Sequence, residues 1–458
     1  MSQTSQMDGL PIPQRYGAII AIALGITVAV LDGAIANVAL PTIARDLQAS
    51  PAQSIWIVNA YQLAIIVSLL SLSFLGDILG YRRIYQWGLV VFSCTSLFCA
   101  LSSSLEMLTF ARVLQGFGGA ALMSVNTALI RIIYPQRHLG RGMGINSLIV
   151  AVSTAAGPTV AAAVLSVASW QWLFFINVPV GIAALWLALR FLPDNPQKAQ
   201  GQRFDITSAV MNALTFGLLI SALSGTAQGQ RWEIIAAELV ALLVIGILFI
   251  RRQLTLPFPL LPVDLLRIPI FSLSICTSVC SFCAQMLAMV SLPFYLQSVL
   301  GRSEVATGLL LTPWPLATMV MAPIAGRLIE RYHAGLLGGI GLAMFAAGLF
   351  ALALLPPAPA DVDIIWRMML CGAGFGLFQS PNNHTIISSA PRNRSGGASG
   401  MLGTARLLGQ TSGAALVALM FNLFGTHGTH ASLIMAGCFS SAAAIVSAMR
   451  MTQPRAGK

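Results

Sequence analysis

Asp32 is the only acid in the apolar run RYGAIIAIALGITVAVLDGAIANVALP. An ionisable group inside a hydrophobic helix is costly, and such groups pair with one another or face an aqueous path. A suitable partner stands in RVLQGFGGA, where Arg112 lies about five residues inside another apolar run. Burial opposes ionisation of a carboxylate and a neighbouring guanidinium favours it, so a pair of this kind can take up and release a proton. Asp32 is therefore the candidate proton carrier. Its charged form would compete for a cationic cargo, and Arg112 would tune it. The plain alternative is a polar pair that only holds two helices together.

Other chemistries find no support in the residues. No GxxxxGK[ST] phosphate loop is present, and the five histidines, His138, His333, His384, His427 and His430, are scattered. Cys276, Cys280 and Cys283 share one helical face, but without His or carboxylate partners they read as small apolar packers. No enzyme, metal or cofactor is expected, so the energy source would be a proton gradient.

The elements that must hold Asp32 and Arg112 follow from composition. The chain is 57% hydrophobic and 9% charged, against about a quarter charged in soluble domains. Runs of roughly 20 apolar residues mark a polytopic all-α membrane protein. They fall at about 17–40, 54–75, 84–104, 107–130, 143–167, 172–192, 206–226, 234–250, 269–297, 305–325, 335–355, 364–386, 397–421 and 430–449, fourteen in all. The polar start MSQTSQMDGLPIPQR lacks a cleavage site, so no removed signal peptide is expected. With both termini in the cytoplasm, nineteen of the 25 basic residues fall on the cytoplasmic side and three outside. That asymmetry is the positive-inside rule. It makes the net charge of +11 a topology signal rather than a nucleic-acid footprint. Asp32 then lies about 21 Å along its helix and Arg112 about 8 Å in from the opposite surface, at similar depth.

The chain also repeats. SFLGDILGYRR (73–83) is matched by AGRLIERYHAG (325–335), RVLQGFGGA by RMMLCGAGFG, and STAAGPTVAAA by GQTSGAALVAL. The offsets are 253, 255 and about 256 residues. Two parallel six-helix halves around a central site describe a secondary transporter. The expected domains are 1–203, 253–458, and an inserted pair of helices at 204–252.

At these motifs the chain resembles the major facilitator superfamily, and within it the fourteen-helix drug:proton antiporters (DHA2-type multidrug efflux). LDGAIANVALP resembles that family's first-helix signature and WIVNAYQLA (56–64) its second helix. GDILGYRR resembles the superfamily loop motif, with Ser73 and Ile78 departing from it. RVLQGFGGA resembles the fourth-helix motif, GINSLIVAVSTAAGPTVAAA the antiporter motif, and WQWLFFINVPVG (170–181) the entry to helix six. The resemblance implies the superfamily fold, with two six-helix bundles and two extra central helices. It also implies export of lipophilic cationic drugs in exchange for protons. Asp77, Gly80, Arg82 and Arg83 would form a gate latch, with Glu330 and Arg331 as its second copy. Gly144, Gly157 and Pro158 would be a hinge and seal against proton leak.

A pocket for flat apolar cations needs aromatic faces and a few polar atoms. The candidates are Asn37, Trp56, Asn59, Tyr61, Gln62, Gln285, Phe375, Gln379, Asn382 and Asn383, and the alternative for most of them is a lipid-interface anchor or an interhelical hydrogen bond. Arg367 and Arg406 are further buried charges without an evident partner. The expected partners are a small-molecule substrate, protons and the lipid bilayer, with no nucleic acid, for a monomer in the bacterial cytoplasmic (inner) membrane. A proton-coupled exporter of one metabolite is the alternative. An importer is disfavoured by Gly157-Pro158, and a sensor or scaffold by the lack of a soluble output domain.

Overall fold

The structure is a computed structural model, and it describes residues 9–135, 139–194, 204–227, 230–256, 259–329, 331–390 and 395–452. Among them there is no β-strand. In hydrocarbon every backbone polar group must be bonded within its own segment, and the helix achieves this. The first half runs α1 (Gln14–Asp46), α2 (Pro51–Leu79), α3 (Tyr81–Ala100), α4 (Leu105–Ile133), α5 (Leu139–Leu165) and α6 (Gln171–Phe191). Then come α7 (Ile206–Ala227) and α8 (Trp232–Thr255). The second half runs α9 (Pro269–Val299), α10 (Glu304–Leu328), α11 (Ala334–Ala353), α12 (Asp361–Ser389), α13 (Ser395–Phe424) and α14 (Gly428–Met449).

Eleven stretches among the described residues are long and apolar enough to cross a membrane, and one of them, Gly400–Met449, holds most of α13 and all of α14. α3 and α12 are not among the eleven. α3 opens on YRRIYQ and α12 carries DVD, Arg367 and SPNNH, and these polar residues dilute both helices.

Local signals fix the ends. Ser104 and Ser303 accept from backbone N–H groups three residues on, at the starts of α4 and α10. Ser50 and Gln53 form a reciprocal capping box at the start of α2. The joint between α2 and α3 is Gly80, whose φ of 111° lies in a region that favours glycine.

The packing repeats. In the first half α1 packs on α5 and α6, α2 on α4, and α3 on α4 and α6. In the second half α9 packs on α13 and α14, α10 on α12, and α11 on α12 and α14. Each pair recurs eight helices later, which is the internal repeat expressed as structure. The halves meet through α5–α10, α2–α13 and α1–α9. α7 bridges them from one side, touching both α2 and α13, and α8 lies outside it on α7.

Candidate functional site

Asp32 and Arg112 meet. Arg112 Nη1 donates to Asp32 Oδ2 in an ion pair, with the carboxylate 2% and the arginine 0% exposed. The remaining valences are filled from four helices. Asn177 Nδ2 of α6 donates to Asp32 Oδ1 at 2.7 Å and Gln115 Nε2 of α4 at 3.1 Å. Gln115 also accepts from Arg112 Nη1 at 2.5 Å and donates to Ser96 Oγ of α3 at 2.8 Å. Arg112 Nε donates to the Ile57 carbonyl of α2 at 3.1 Å. The Tyr61 ring lies 4.1 Å from the guanidinium carbon, and its hydroxyl donates to the Ala29 carbonyl. The close approach that permits this comes from Gly116, where a Cβ would lie 2.5 Å from the Tyr61 carbonyl oxygen. Chemically this is a sealed, fully bonded carboxylate in the interior of the first half. Protonating it removes the charge that Arg112 compensates.

Sequence reasoning missed Gln115 and Asn177. Gln115 stands three residues after Arg112 and so shares its helix face, which was a usable signal. Asn177, a neutral amide in INVPVG, gave none. Glu238 was also passed over, although it interrupts the apolar run IIAAELVALLV of α8. It accepts from Ser221 Oγ of α7 at 2.8 Å, and its second oxygen is buried without a partner.

The pocket candidates divide. Tyr61 is not a lining residue, because it is 4% exposed and stacks on Arg112. Asn382 is fully buried: its amide donates to Ser278 Oγ at 2.7 Å, and its carbonyl accepts from Arg450 Nη1 at 2.6 Å. Phe375 is 2% exposed within a ring cluster with Phe282, Phe345 and Phe378. All three lie in bundle interiors, which helical spacing alone does not tell from a face that meets cargo. Asn59 is buried, with its side-chain oxygen unbonded. Asn37, Trp56, Gln62, Gln285, Gln379 and Asn383 are half-buried.

Asp77 accepts from the Tyr81 hydroxyl at 2.5 Å. Arg82 donates to the Leu189 carbonyl at 2.6 Å and lies 3.6 Å from Asp194, and Arg83 is exposed. Among the described residues these groups bond within the first half only. Arg331 is exposed, and Glu330 lies outside the described residues. Gly144 lies on α5. Gly157 abuts Ala34 of α1, and a Cβ on Gly308 of α10 would lie 2.5 Å from the Pro158 carbonyl oxygen, so α1, α5 and α10 touch there without intervening side chains. The halves are also tied at the far end of α1. Thr42 Oγ1 and Arg45 Nη2 both donate to Glu304 Oε1, at 2.8 and 3.0 Å, and Gln297 donates to the Val38 carbonyl.

Arg367 pairs with Asp363 at 3.2 Å, one helical turn away. Arg450 is 1% exposed, with no acid beside it among the described residues, and burial lowers its pKa to about 10. It is held by Asn382, Ser274 Oγ at 3.0 Å and Ser447 Oγ at 2.5 Å. The Asp32 charge for which a cationic cargo is expected to compete is the one that Arg112 pairs with here.

The profile of the Major Facilitator Superfamily matches residues 22–414. The chain belongs to this superfamily. It is 77% identical over 450 residues, 98% of each chain, to "Uncharacterized transporter YebQ" of Escherichia coli K12. It is 29% identical over 89% of its length to the riboflavin transporter RibZ of Clostridioides difficile, covering 88% of that protein. It is 28% identical over 92% of its length to the multidrug export protein EmrB of E. coli K12, covering 82% of it. A solved POT family transporter in complex with a thioalcohol-conjugated peptide superposes with a TM-score of 0.73 at 13% identity, over 95% of each chain, which shows the shared fold. The chain is thus a multi-pass integral membrane transporter rather than an enzyme.

Proposed function

We propose that the protein is a fourteen-helix, DHA2-type proton antiporter that exports lipophilic compounds across the bacterial inner membrane by alternating access. The observation that carries this reading is the buried Asp32–Arg112 pair. Among the described residues Asp32 is the one fully buried acid. Multidrug export by a relative along most of the chain supports the same reading. Two bundles, 1–203 and 253–458, would rock about the cleft, with 204–252 as an inserted pair and both termini in the cytoplasm. Asp32 would carry the proton and Arg112 would hold its charged form. Asp77, Arg82 and Arg83 would latch the cytoplasmic side when the outer side opens. On this orientation the bonds of Thr42 and Arg45 to Glu304 would close the outer end. Gly157 and Pro158 would form the seal. A second reading, export of one metabolite, is supported by the riboflavin-transporting relative.

The test is purified protein in proteoliposomes with a pH gradient and a panel of lipophilic dyes and flavins. The expected result is uptake that follows the gradient, collapses with a protonophore and is abolished by Asp32→Asn in correctly inserted protein. Uptake by the wild type that ignores the gradient overturns the proton coupling. Movement of flavins alone selects the metabolite reading.

A further inference from the structure

Arg406 is the membrane-embedded cation that neither the fold nor the proton site uses. It is the twelfth residue of α13, about 16 Å from the helix start, and so near mid-depth. Among the described residues it has no carboxylate or hydrogen-bond partner, whereas Arg112 and Arg367 have acids and Arg450 has three oxygens. The unpartnered nitrogens sealed inside the protein include Nε and Nη1 of Arg367 and Nε of Arg450, and none of Arg406. Arg406 is half-buried, and its nitrogens are not among those sealed without a partner.

The neighbours of α13 place Arg406. Cβ atoms on Gly409 and Gly413 would lie 2.5 and 2.6 Å from the Val279 and Cys283 carbonyls, so this face meets α9. A Cβ on Gly403 would lie 3.6 Å from Leu69, so that face meets α2. At 100° per residue, Arg406 and Gln410 project into the arc between the two faces. That arc lies between a second-half helix and a first-half helix. The Arg406 guanidinium carbon stands 5.7 Å from the Phe282 ring, which packs edge-on against Phe375 of α12 at 5.4 Å. No acid balances it. Asp32 is bound inside the first half and Glu238 sits between α7 and α8.

We propose that Arg406 binds the anionic group of a flat aromatic cargo between these helices, with the Phe282 ring alongside the cargo's ring system. A planar guanidinium presents parallel donors to a carboxylate and stacks on aromatic faces. An uncompensated cation at mid-membrane is costly, and a bound anion supplies its missing partner. This names the cargo class of the exporter proposed above and rests on that reading for there being a cargo at all.

Two xanthene dyes of like shape and opposite charge, fluorescein and rhodamine 6G, test it by fluorescence anisotropy on the purified full chain in detergent. The wild type binds fluorescein at least about tenfold more tightly than rhodamine 6G. Arg406→Gln weakens fluorescein about tenfold or more, Arg406→Lys recovers much of the loss, and Phe282→Ala weakens both dyes. Size-exclusion profiles confirm folding, and recovery by lysine separates lost charge from misfolding. Equal or reversed preference in the wild type, no fluorescein binding, or an Arg406→Gln variant that binds fluorescein normally overturns the proposal. Wild type that binds fluorescein but does not move it along a pH gradient refutes the exporter reading and leaves the Arg406 site standing.

Discussion

Asp32→Asn is the perturbation with the most to separate. The new side chain is isosteric, and its Oδ1 still accepts from Asn177 and Gln115. Its amide nitrogen then faces Arg112 Nη1, so a donor meets a donor and the guanidinium loses its counter-charge at a site of 0% exposure. Removing one partner of a buried ion pair costs about 3–5 kcal/mol. That is between about two and four powers of ten in the folding equilibrium. The double variant Asp32→Asn, Arg112→Gln has no stranded charge, and its amides still serve Gln115 and Asn177. It should therefore recover most of the lost stability. If Asp32 only holds α1 to α4, the double variant also recovers transport. If Asp32 carries the proton, the double variant folds and inserts but its uptake does not respond to a pH gradient. Unfolding by SDS titration reads the first quantity and dye uptake into proteoliposomes the second. Gradient-driven uptake by the double variant at the wild-type rate refutes the proton-carrier role.

Three further substitutions address the elements around the site. Gly308→Ala drives a methyl group onto the Pro158 carbonyl and should prise α10 from α5; in a background lacking the exposed Cys94, Cys276 and Cys438, a cysteine at the buried Ala161 then labels several-fold faster with an impermeant maleimide, and an unchanged rate refutes a seal there. Arg450→Leu strips the donor from Asn382, Ser274 and Ser447 and should cost about 1–3 kcal/mol, read by SDS titration; a neutral effect means that the cage relaxes. At Asp205 burial pushes the carboxyl up, but bonds from Arg252 and Ser208 outweigh it and hold the carboxyl below the usual range. Its contribution is therefore present at neutral pH and lost as pH falls through the lowered native value. The melting-temperature gap between wild type and Asp205→Asn should shrink from about pH 5 downward, and a constant gap refutes the assignment.

The positions of the helices were legible because lipid demands length and low charge, and each of the fourteen apolar runs lies largely within a helix. The meeting of Asp32 and Arg112 was legible too, since both depths follow from helix rise. The pairing of Arg367 was missed despite the four-residue spacing to Asp363 that signals it. Which face of a helix meets the cleft was not legible. In a two-bundle membrane protein, the bundle interior, the cleft and the lipid all accept apolar residues, so periodicity does not rank the three. Asn382 and Tyr61 fell on the wrong side for that reason. Arg450, just past the last apolar run, looked like an ordinary cytoplasmic charge because its burial depends on α9 and α12, far away in sequence.

Asp32 faces the interior of its own half, so under the proposed coupling a proton bound there would act on the other half through α1 and not by touching cargo. Asp32 binds inward, while Ala34, Val38 and Thr42 on the same helix touch α5, α9 and α10. Neutralising Asp32 would weaken the hold of α4 and α6 on α1, on the same helix whose Val38 and Thr42 bond to the second half. On the two proposals together, cargo at Arg406 and a proton at Asp32 would bias one rocking motion from separate sites, which is linkage rather than competition for one carboxylate. The two schemes differ in a measurable way. Direct competition makes the wild type release its proton stoichiometrically on binding cargo, and makes Asp32→Asn lose affinity for it. Linkage through α1 leaves fluorescein binding to Asp32→Asn within about threefold of wild type while its gradient-driven uptake is lost. Loss of binding together with transport refutes the separation of the two sites.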